Sequence, residues 1–122
     1  MDEKKNVNIK FKSAKGDGNG QVLNIVITEF SDKFFIILTS CGKIGSLIQV
    51  FSETTISEES TSIINSKALF GKDEPEIHAF ARSLVENLNF TKPVVFGFSL
   101  KDYTMSAFTD IKNLIFETMK KL

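Results

Sequence analysis

Hydrophobic and polar residues alternate near the start of the chain, and longer apolar runs follow. Polar residues separate Val7, Ile9 and Phe11, and this period of two is typical of a half-buried strand. Four further segments rich in apolar residues come next, and residues that favour turns separate them. They are Val22–Phe30, Phe34–Thr39, Ser46–Phe51 and Ser62–Phe70. The first five predicted elements are therefore all strands.

The connections between these strands are short or polar. The stretch GDGNG, at Gly16–Gly20, is predicted to be a flexible hairpin connection, and Ser31–Lys33 is predicted to be a tight turn. The stretch CGKIG is predicted to turn the chain with positive φ angles at Gly42 and Gly45. The polar, acidic segment Ser52–Ser60 is predicted to be a mobile loop. Because short connections join consecutive strands, the pattern favours an antiparallel meander.

After Gly71 the apolar period becomes helical. Apolar residues between Ile77 and Leu88 recur at intervals that place them on one face of a helix. Asp73 and Glu76 have the spacing of a capping box, so Asp73 is predicted to be the N-cap. Pro75 is tolerated in the first turn, where its missing N–H removes no helical hydrogen bond. The acids and proline of this stretch are thus interpreted as the start of a helix.

A sixth strand and a second helix complete the predicted order. Lys92–Leu100 is another apolar run, and Thr104 is placed to cap a helix whose apolar stripe runs from Met105 to Leu122. The order β-β-β-β-β-α-β-α predicts one α+β domain over residues 1–122. It has two layers: an antiparallel sheet of about six strands, and both helices on one face.

Two helices cover only one face of such a sheet. Phe34–Leu38 and Val94–Phe98 are apolar on both sides, so the second face would expose a large apolar patch. We therefore predict a dimer formed through the sheet. Ile37 and Phe96 are the candidate partner contacts on that face.

Composition and charge exclude several classes of function. Fifteen basic residues balance fifteen acidic ones, which argues against a general nucleic-acid binder, because such proteins need a basic face. No apolar run is long enough to span a membrane, and the first residues lack the apolar core of a signal peptide. A single cysteine excludes an internal disulfide. We expect a reducing, cytoplasmic compartment, with the nucleus left open.

The residues that carry chemistry do not form a catalytic set. His78 is the only histidine and Cys41 the only cysteine, so neither a metal site nor a cofactor is expected. We interpret His78 as a partly buried, hydrogen-bonded residue that orients a loop. Nothing in the sequence marks the Cys41 thiol as activated. Lys43 lies between Gly42 and Gly45, and a long cation at a turn is a candidate contact for a partner's carboxylate.

Two blocks of the chain resemble the proteasome assembly chaperone 3 family. The first is TSCGKIGSL, at Thr39–Leu47, and the second is LFGKDEPEIHAFARSLV, at Leu69–Val85. In the second block a glycine, a proline and a histidine recur at the family's offsets, at Gly71, Pro75 and His78. The order of elements also matches the family over nearly the whole chain.

The resemblance implies a non-enzymatic function. Members of the family look like small α+β dimers that help the α-subunit ring of the 20S proteasome to form. They pair with a related protein, proteasome assembly chaperone 4, and leave before the mature particle is complete. The implied partners are therefore a chaperone-4-like protein and proteasome α-subunits, with a homodimer left open, and neither nucleic acid nor membrane. Two alternatives stay open: a longin-like or roadblock-like dimeric scaffold, and an enzyme that uses Cys41 or Lys43.

Overall fold

The computed structural model describes residues 10–18, 21–40, 45–54, 62–101 and 103–122. Within these ranges the chain forms an α+β fold with six strands and two helices, in the predicted order. Val7 and Ile9 of the predicted first strand lie outside the described residues, and Phe11 lies in the strand that is described. The strands are β1 (Lys10–Gly18), β2 (Gln21–Glu29), β3 (Phe34–Thr39), β4 (Ser46–Thr54), β5 (Ser62–Gly71) and β6 (Val94–Ser99). The helices are α1 (Pro75–Leu88) and α2 (Met105–Met119). Neither helix in the described part of the chain is long and apolar enough to cross a membrane.

The six strands form one mixed sheet in the order β1-β2-β3-β6-β4-β5. The predicted meander is wrong at the centre, because β6 lies between β3 and β4. There it runs parallel to β3, with Phe34 opposite Val94 and Thr39 opposite Ser99. Both β5 and β6 are antiparallel to β4, so they run in the same direction. A connection between strands of the same direction needs a crossover, and α1 supplies it.

Two predicted loops are partly strand. Gly16 and Gly18 belong to β1 and pair with Leu23 and Gln21, so the predicted flexible connection begins too early. Strand β4 continues to Thr54, which removes the first three residues of the predicted mobile loop, and residues 55–61 lie outside the described residues. In both places backbone pairing with the neighbouring strand satisfies N–H and C=O groups, whatever the side chains are.

The core lies between the sheet and the helices. Helix α1 packs against β4 and β5, helix α2 packs against β1 and β2, and the two helices contact each other. Phe80 of α1 joins the layers, because its ring meets Phe98 of β6 and Phe108 of α2 edge to face, with centroids 5.7 and 5.4 Å away. Alternate apolar residues of the four central strands face these helices and are buried: Leu23, Ile25, Ile27, Phe34, Ile36, Leu38, Ile48, Val50, Val94, Phe96 and Phe98.

The start of α1 differs from its prediction. The N-cap is Glu74, whose side chain makes no capping hydrogen bond, and Pro75 is the first helical residue. The predicted capping box at Asp73 and Glu76 is therefore wrong. Asp73 lies one residue too early for the N-cap position, and its carboxylate accepts a hydrogen bond from His78 instead.

The start of α2 agrees with its prediction. The Thr104 hydroxyl accepts a hydrogen bond from the Ala107 N–H at 3.3 Å, as an N-cap should. The predicted stripe is wrong at its first residue, because Met105 is 78% exposed. The buried residues of α2 are Ala107, Ile111, Ile115 and Thr118.

Candidate interaction face and the motif junction

The face of the sheet opposite the helices, here called the open face, carries two adjacent cross-strand rows of residues. Register places Thr28, Phe35, Val95, Gln49 and Lys67 in one row, and Val26, Ile37, Gly97, Leu47 and Phe70 in the next. Apolar residues dominate the second row, and polar residues lie near the ends of the first. The centre of the open face is therefore apolar.

Most apolar side chains on the open face keep part of their surface in solvent. Those near its centre, such as Ile37 and Val95, are half-buried by their neighbours. At the margin, Val22 is 56% exposed, Phe70 55% and Ile63 47%. Contiguous apolar surface of this kind marks an interaction site. A partner that buries the remaining surface of such a side chain would gain part of the roughly 1.5–3 kcal/mol that burial of a fully exposed one contributes.

The structure separates the two residues predicted as partner contacts on the sheet. Ile37 lies on the open face. Phe96 is 0% exposed, and its ring stacks on Phe98 at 5.1 Å beneath the helices. The choice of Phe96 is therefore wrong, because the alternation of a strand gives the open face Val95 and Gly97 instead. Sequence reasoning missed Val95, although its period-two relation to Phe96 could have identified it.

The two sequence blocks meet at one place in the fold, here called the motif junction and formed by Gly45, Ser46 and Gly71. Ser46 and Gly71 are register partners at the ends of β4 and β5. Gly71 has φ +89°, and a Cβ there would overlap the carbonyl oxygen of Gly45 and lie 2.8 Å from Ser46 Cα. The predicted positive φ at Gly45 is wrong, since Gly71 is the described glycine that adopts it. Each block thus supplies one side of a close backbone contact.

Next to this junction, four polar side chains form a hydrogen-bonded chain. Arg82 Nη1 donates to Ser66 Oγ at 2.7 Å, and Ser66 Oγ lies 2.7 Å from His78 Nδ1. On the other side of the ring, His78 Nε2 lies 2.6 Å from Asp73 Oδ1. The His78 side chain is 15% exposed and the Asp73 side chain 66%. This chain links β5, the turn before α1, and α1 itself.

The chemistry of the four groups determines which of them donates and which accepts in each hydrogen bond. A guanidinium group only donates and an ionised carboxylate only accepts. With a neutral ring, Ser66 therefore accepts from Arg82 and donates to His78 Nδ1, while Nε2–H donates to Asp73. Serine, histidine and aspartate also occur together in hydrolases, but here Arg82 already holds the oxygen that would attack. Sequence reasoning missed Ser66 and Arg82. The spacing of Arg82 four residues after His78 was the available signal.

A cavity of about 500 Å³ opens beside the motif junction. Its floor includes Phe98, and its rim carries charges of both signs, from Lys72, Lys101 and Glu74. Burial raises the pKa of the Tyr103 phenol above its ordinary value of 10.0, and nearby carboxylates add to the shift. The phenol is therefore neutral near pH 7.

Three of the predicted residues, Cys41, Gly42 and Lys43, lie outside the described residues, so the interpretations placed on them stay predictions. Among the residues that are described, no three His, Cys, Asp or Glu side chains are grouped to hold a metal ion. The described surface has two features that suit the binding of another protein, the apolar open face and the polar cavity beside the motif junction.

Comparison with known proteins agrees with this class of fold and surface. The family model for proteasome assembly chaperone 3 matches residues 36–118, which is well over half of the 122 residues. The chain belongs to the proteasome assembly chaperone 3 family.

Individual relatives support the same family. The chain is 29% identical to proteasome assembly chaperone 3 of Bos taurus and of Homo sapiens, over 99 residues in each case. It is 28% identical to the Mus musculus protein. Each alignment covers 79% of this chain and 81% of the relative.

A solved structure shares the fold. It is a chain from a crystal structure of a chaperone complex for yeast 20S proteasome assembly. The likeness has a TM-score of 0.66 at 12% identity, and it covers 91% of this chain and 98% of the other. At that identity the likeness supports the architecture.

Proposed function

We propose that this protein is a non-catalytic chaperone that promotes formation of the α-subunit ring of the 20S proteasome. It acts as a dimer with a related chaperone of the same fold, in the cytoplasm. Membership of the chaperone family supports the chaperone role and argues against catalysis. The likeness to a chain from an assembly-chaperone complex supports pairing with a second chaperone.

The open face is the main observation that supports the proposed dimer. It presents an apolar centre around Ile37, Leu47 and Val95, and exposed apolar residues such as Val22 and Phe70 at its margin. A related chain with its own open face would cover it by packing sheet against sheet, at a spacing of about 10 Å. Such an interface is expected to bury about 1,200–2,000 Å² in total. Polar residues near its edge, including Gln49 and Lys67, suit the rim of such a contact.

The client contact is proposed at the end of the molecule near Gly45. Lys43 precedes Gly45 by two residues in the sequence, and a cation there would steer encounter with an acidic surface of an α-subunit. Lys43→Glu should slow association with that subunit, and the defect should be larger at low salt. Binding that stays unchanged across a salt series would remove Lys43 from the client contact.

Affinity purification from native lysate tests the proposed function. The wild-type chain and Ile37→Asp are each captured, and the proteins that accompany them are identified. The wild-type chain should carry proteasome α-subunits and a second small chaperone, and Ile37→Asp should lose the second chaperone. Recovery of membrane-bound GTPases without α-subunits would favour the scaffold alternative. A turnover lost in Cys41→Ala would favour an enzyme.

A further inference from the structure

The hydrogen bonds that run from Arg82 through Ser66 and His78 to Asp73 restrain the turn that joins β5 to α1. This turn consists of Lys72, Asp73 and Glu74, all of which are exposed. At its start Gly71 packs against the Gly45 carbonyl. At its end the Glu74 side chain makes no capping bond to α1. The bond from His78 to Asp73 is a side-chain contact that joins this turn to the helix.

The same turn forms part of the rim of the cavity beside the motif junction. Lys72 and Glu74 line that cavity, together with Gly45, which directly precedes β4. Asp73 lies between these two residues in the sequence, so the bond between its carboxylate and His78 restrains the backbone that carries both neighbours. His78 is fixed in turn by Ser66, which Arg82 holds from the other side.

We infer that His78 is a positioning residue for client binding, and that it acts through Asp73 to hold Lys72 and Glu74 at the mouth of the cavity. The recognised chemistry is a surface segment of a proteasome α-subunit that carries both an acidic and a basic side chain. Such a segment pairs with the cation of Lys72 and the carboxylate of Glu74. The inference deepens the proposed function and rests on it.

Two substitutions of His78 separate its two hydrogen bonds. In His78→Gln the amide nitrogen reaches the place of Nε2, so it keeps the donation to Asp73 and loses Ser66. In His78→Asn the amide oxygen takes the place of Nδ1, so it keeps the bond from Ser66 and loses Asp73. The α-subunit that the affinity purification recovers is purified, and its affinity for each full chain is measured by titration. His78→Asn should bind about tenfold more weakly, which is the scale of a lost hydrogen bond to a charged group, and His78→Gln should stay close to wild type.

A second pair of variants, at the exposed Asp73, shows whether weaker binding of the His78 variants comes from the lost hydrogen bond or from misfolding. Asp73→Asn keeps an oxygen that accepts from Nε2–H, and Asp73→Ala removes it. Asp73→Ala should weaken binding of the α-subunit to the same degree as His78→Asn. Asp73→Asn should bind the α-subunit much better than Asp73→Ala. Sedimentation should show the same oligomeric state for all four variants as for the wild type, because the open face is unchanged. Nitrogen-15 NMR of the ring should find the proton of neutral His78 on Nε2.

The outcomes distinguish the two proposals. If the wild-type chain binds no α-subunit, the proposed function fails, and this inference fails with it. If the wild-type chain binds but His78→Asn and Asp73→Ala bind equally well, only the positioning role of His78 is overturned. A ring proton on Nδ1 of neutral His78 would also overturn it, because Nε2 would then donate nothing to Asp73.

Discussion

Gly71 lies so close to the carbonyl oxygen of Gly45 that a Cβ atom at Gly71 would overlap that oxygen. The two residues are 26 positions apart in the sequence, and they join the ends of β4 and β5. Gly71 also has φ +89°, a conformation that L residues with a side chain rarely adopt. Space and backbone angle therefore both require glycine at Gly71.

The first prediction compares alanine at the two glycines of this contact. Gly71→Ala should lower the free energy of unfolding by well over 1 kcal/mol, because strain at positive φ and steric overlap act together. Gly45→Ala is the matched control, since its Cβ would meet its nearest neighbour at an ordinary 3.5 Å. Urea denaturation of both variants measures the difference. Equal midpoints would mean that the contact relaxes without cost.

The second prediction concerns the cap of α2. Thr104→Ala should cost about 1 kcal/mol of stability, because the Ala107 N–H loses its acceptor. Thr104→Ser keeps a hydroxyl in the same place and should stay close to wild type. Thermal or urea unfolding followed by circular dichroism measures both. If serine and alanine are equally destabilising, the hydroxyl is not what holds the helix start.

The third prediction concerns the open face. Ile37→Asp should leave the fold intact and shift the protein from dimer to monomer, because a charge at the centre of an apolar interface is not compensated. Asn113→Asp adds a charge to the exposed side of α2 and should change nothing. Sedimentation at roughly tens of micromolar, where a dimer with a Kd near 1 μM still forms, reads out the result. A wild-type monomer at that concentration would refute a homodimer through the open face, and the same measurement with the related chaperone added would then test the heterodimer.

Phe96→Asp should behave differently from Ile37→Asp. Phe96 is fully buried between sheet and helices, so an aspartate there would be desolvated without a partner. That cost is comparable with the whole stability of a small domain, about 5–15 kcal/mol. Circular dichroism should therefore show an unfolded chain. A folded Phe96→Asp monomer would contradict its place in the core.

The fourth prediction concerns Lys92, which joins the start of β6 to the end of β2. Its ammonium group lies 2.8 Å from Glu29 Oε2 and 2.8 Å from the Phe30 carbonyl oxygen, and 4.9 Å from the centroid of the Phe34 ring. Lys92→Ala should cost about 1–2 kcal/mol, because the contacts share one partly buried cation. Glu29→Gln retains the other two contacts and should cost less. The order of the two unfolding midpoints tests the claim.

The fifth prediction concerns alkaline pH. The pKa of Tyr103 is raised in the folded protein, chiefly by burial. The unfolded chain therefore loses this proton first as the pH rises, and the stability contributed below the ordinary pKa of 10.0 is lost above it. Wild type should lose more stability than Tyr103→Phe between about pH 9 and 11. Parallel slopes for the two proteins would show that Tyr103 is not responsible.

The sequence by itself determined the kinds of elements and their order. Period-two alternation and apolar runs predicted six strands, and the helical stripe after Ile77 predicted α1, because these periods follow from local backbone geometry. Thr104 was also predictable as a cap, since capping involves only residues adjacent in the chain. The two blocks that resemble the family likewise required no structure to recognise.

The tertiary structure alone decided which elements are neighbours and which side chains meet. The place of β6 beside β3 depends on the crossover through α1, which no local period encodes, although the strand–helix–strand order hinted at it. Packing decided that Phe96 faces the helices and Val95 the open face. The sequence could not decide this, because the run Val94–Phe98 is apolar on both of its sides. The contact of Gly71 with Gly45 joins residues 26 positions apart, and that of His78 with Ser66 joins residues 12 positions apart. These contacts exist only in the folded protein, because the pairing of β4 with β5 brings Gly45 to Gly71, and the packing of α1 on β5 brings His78 to Ser66.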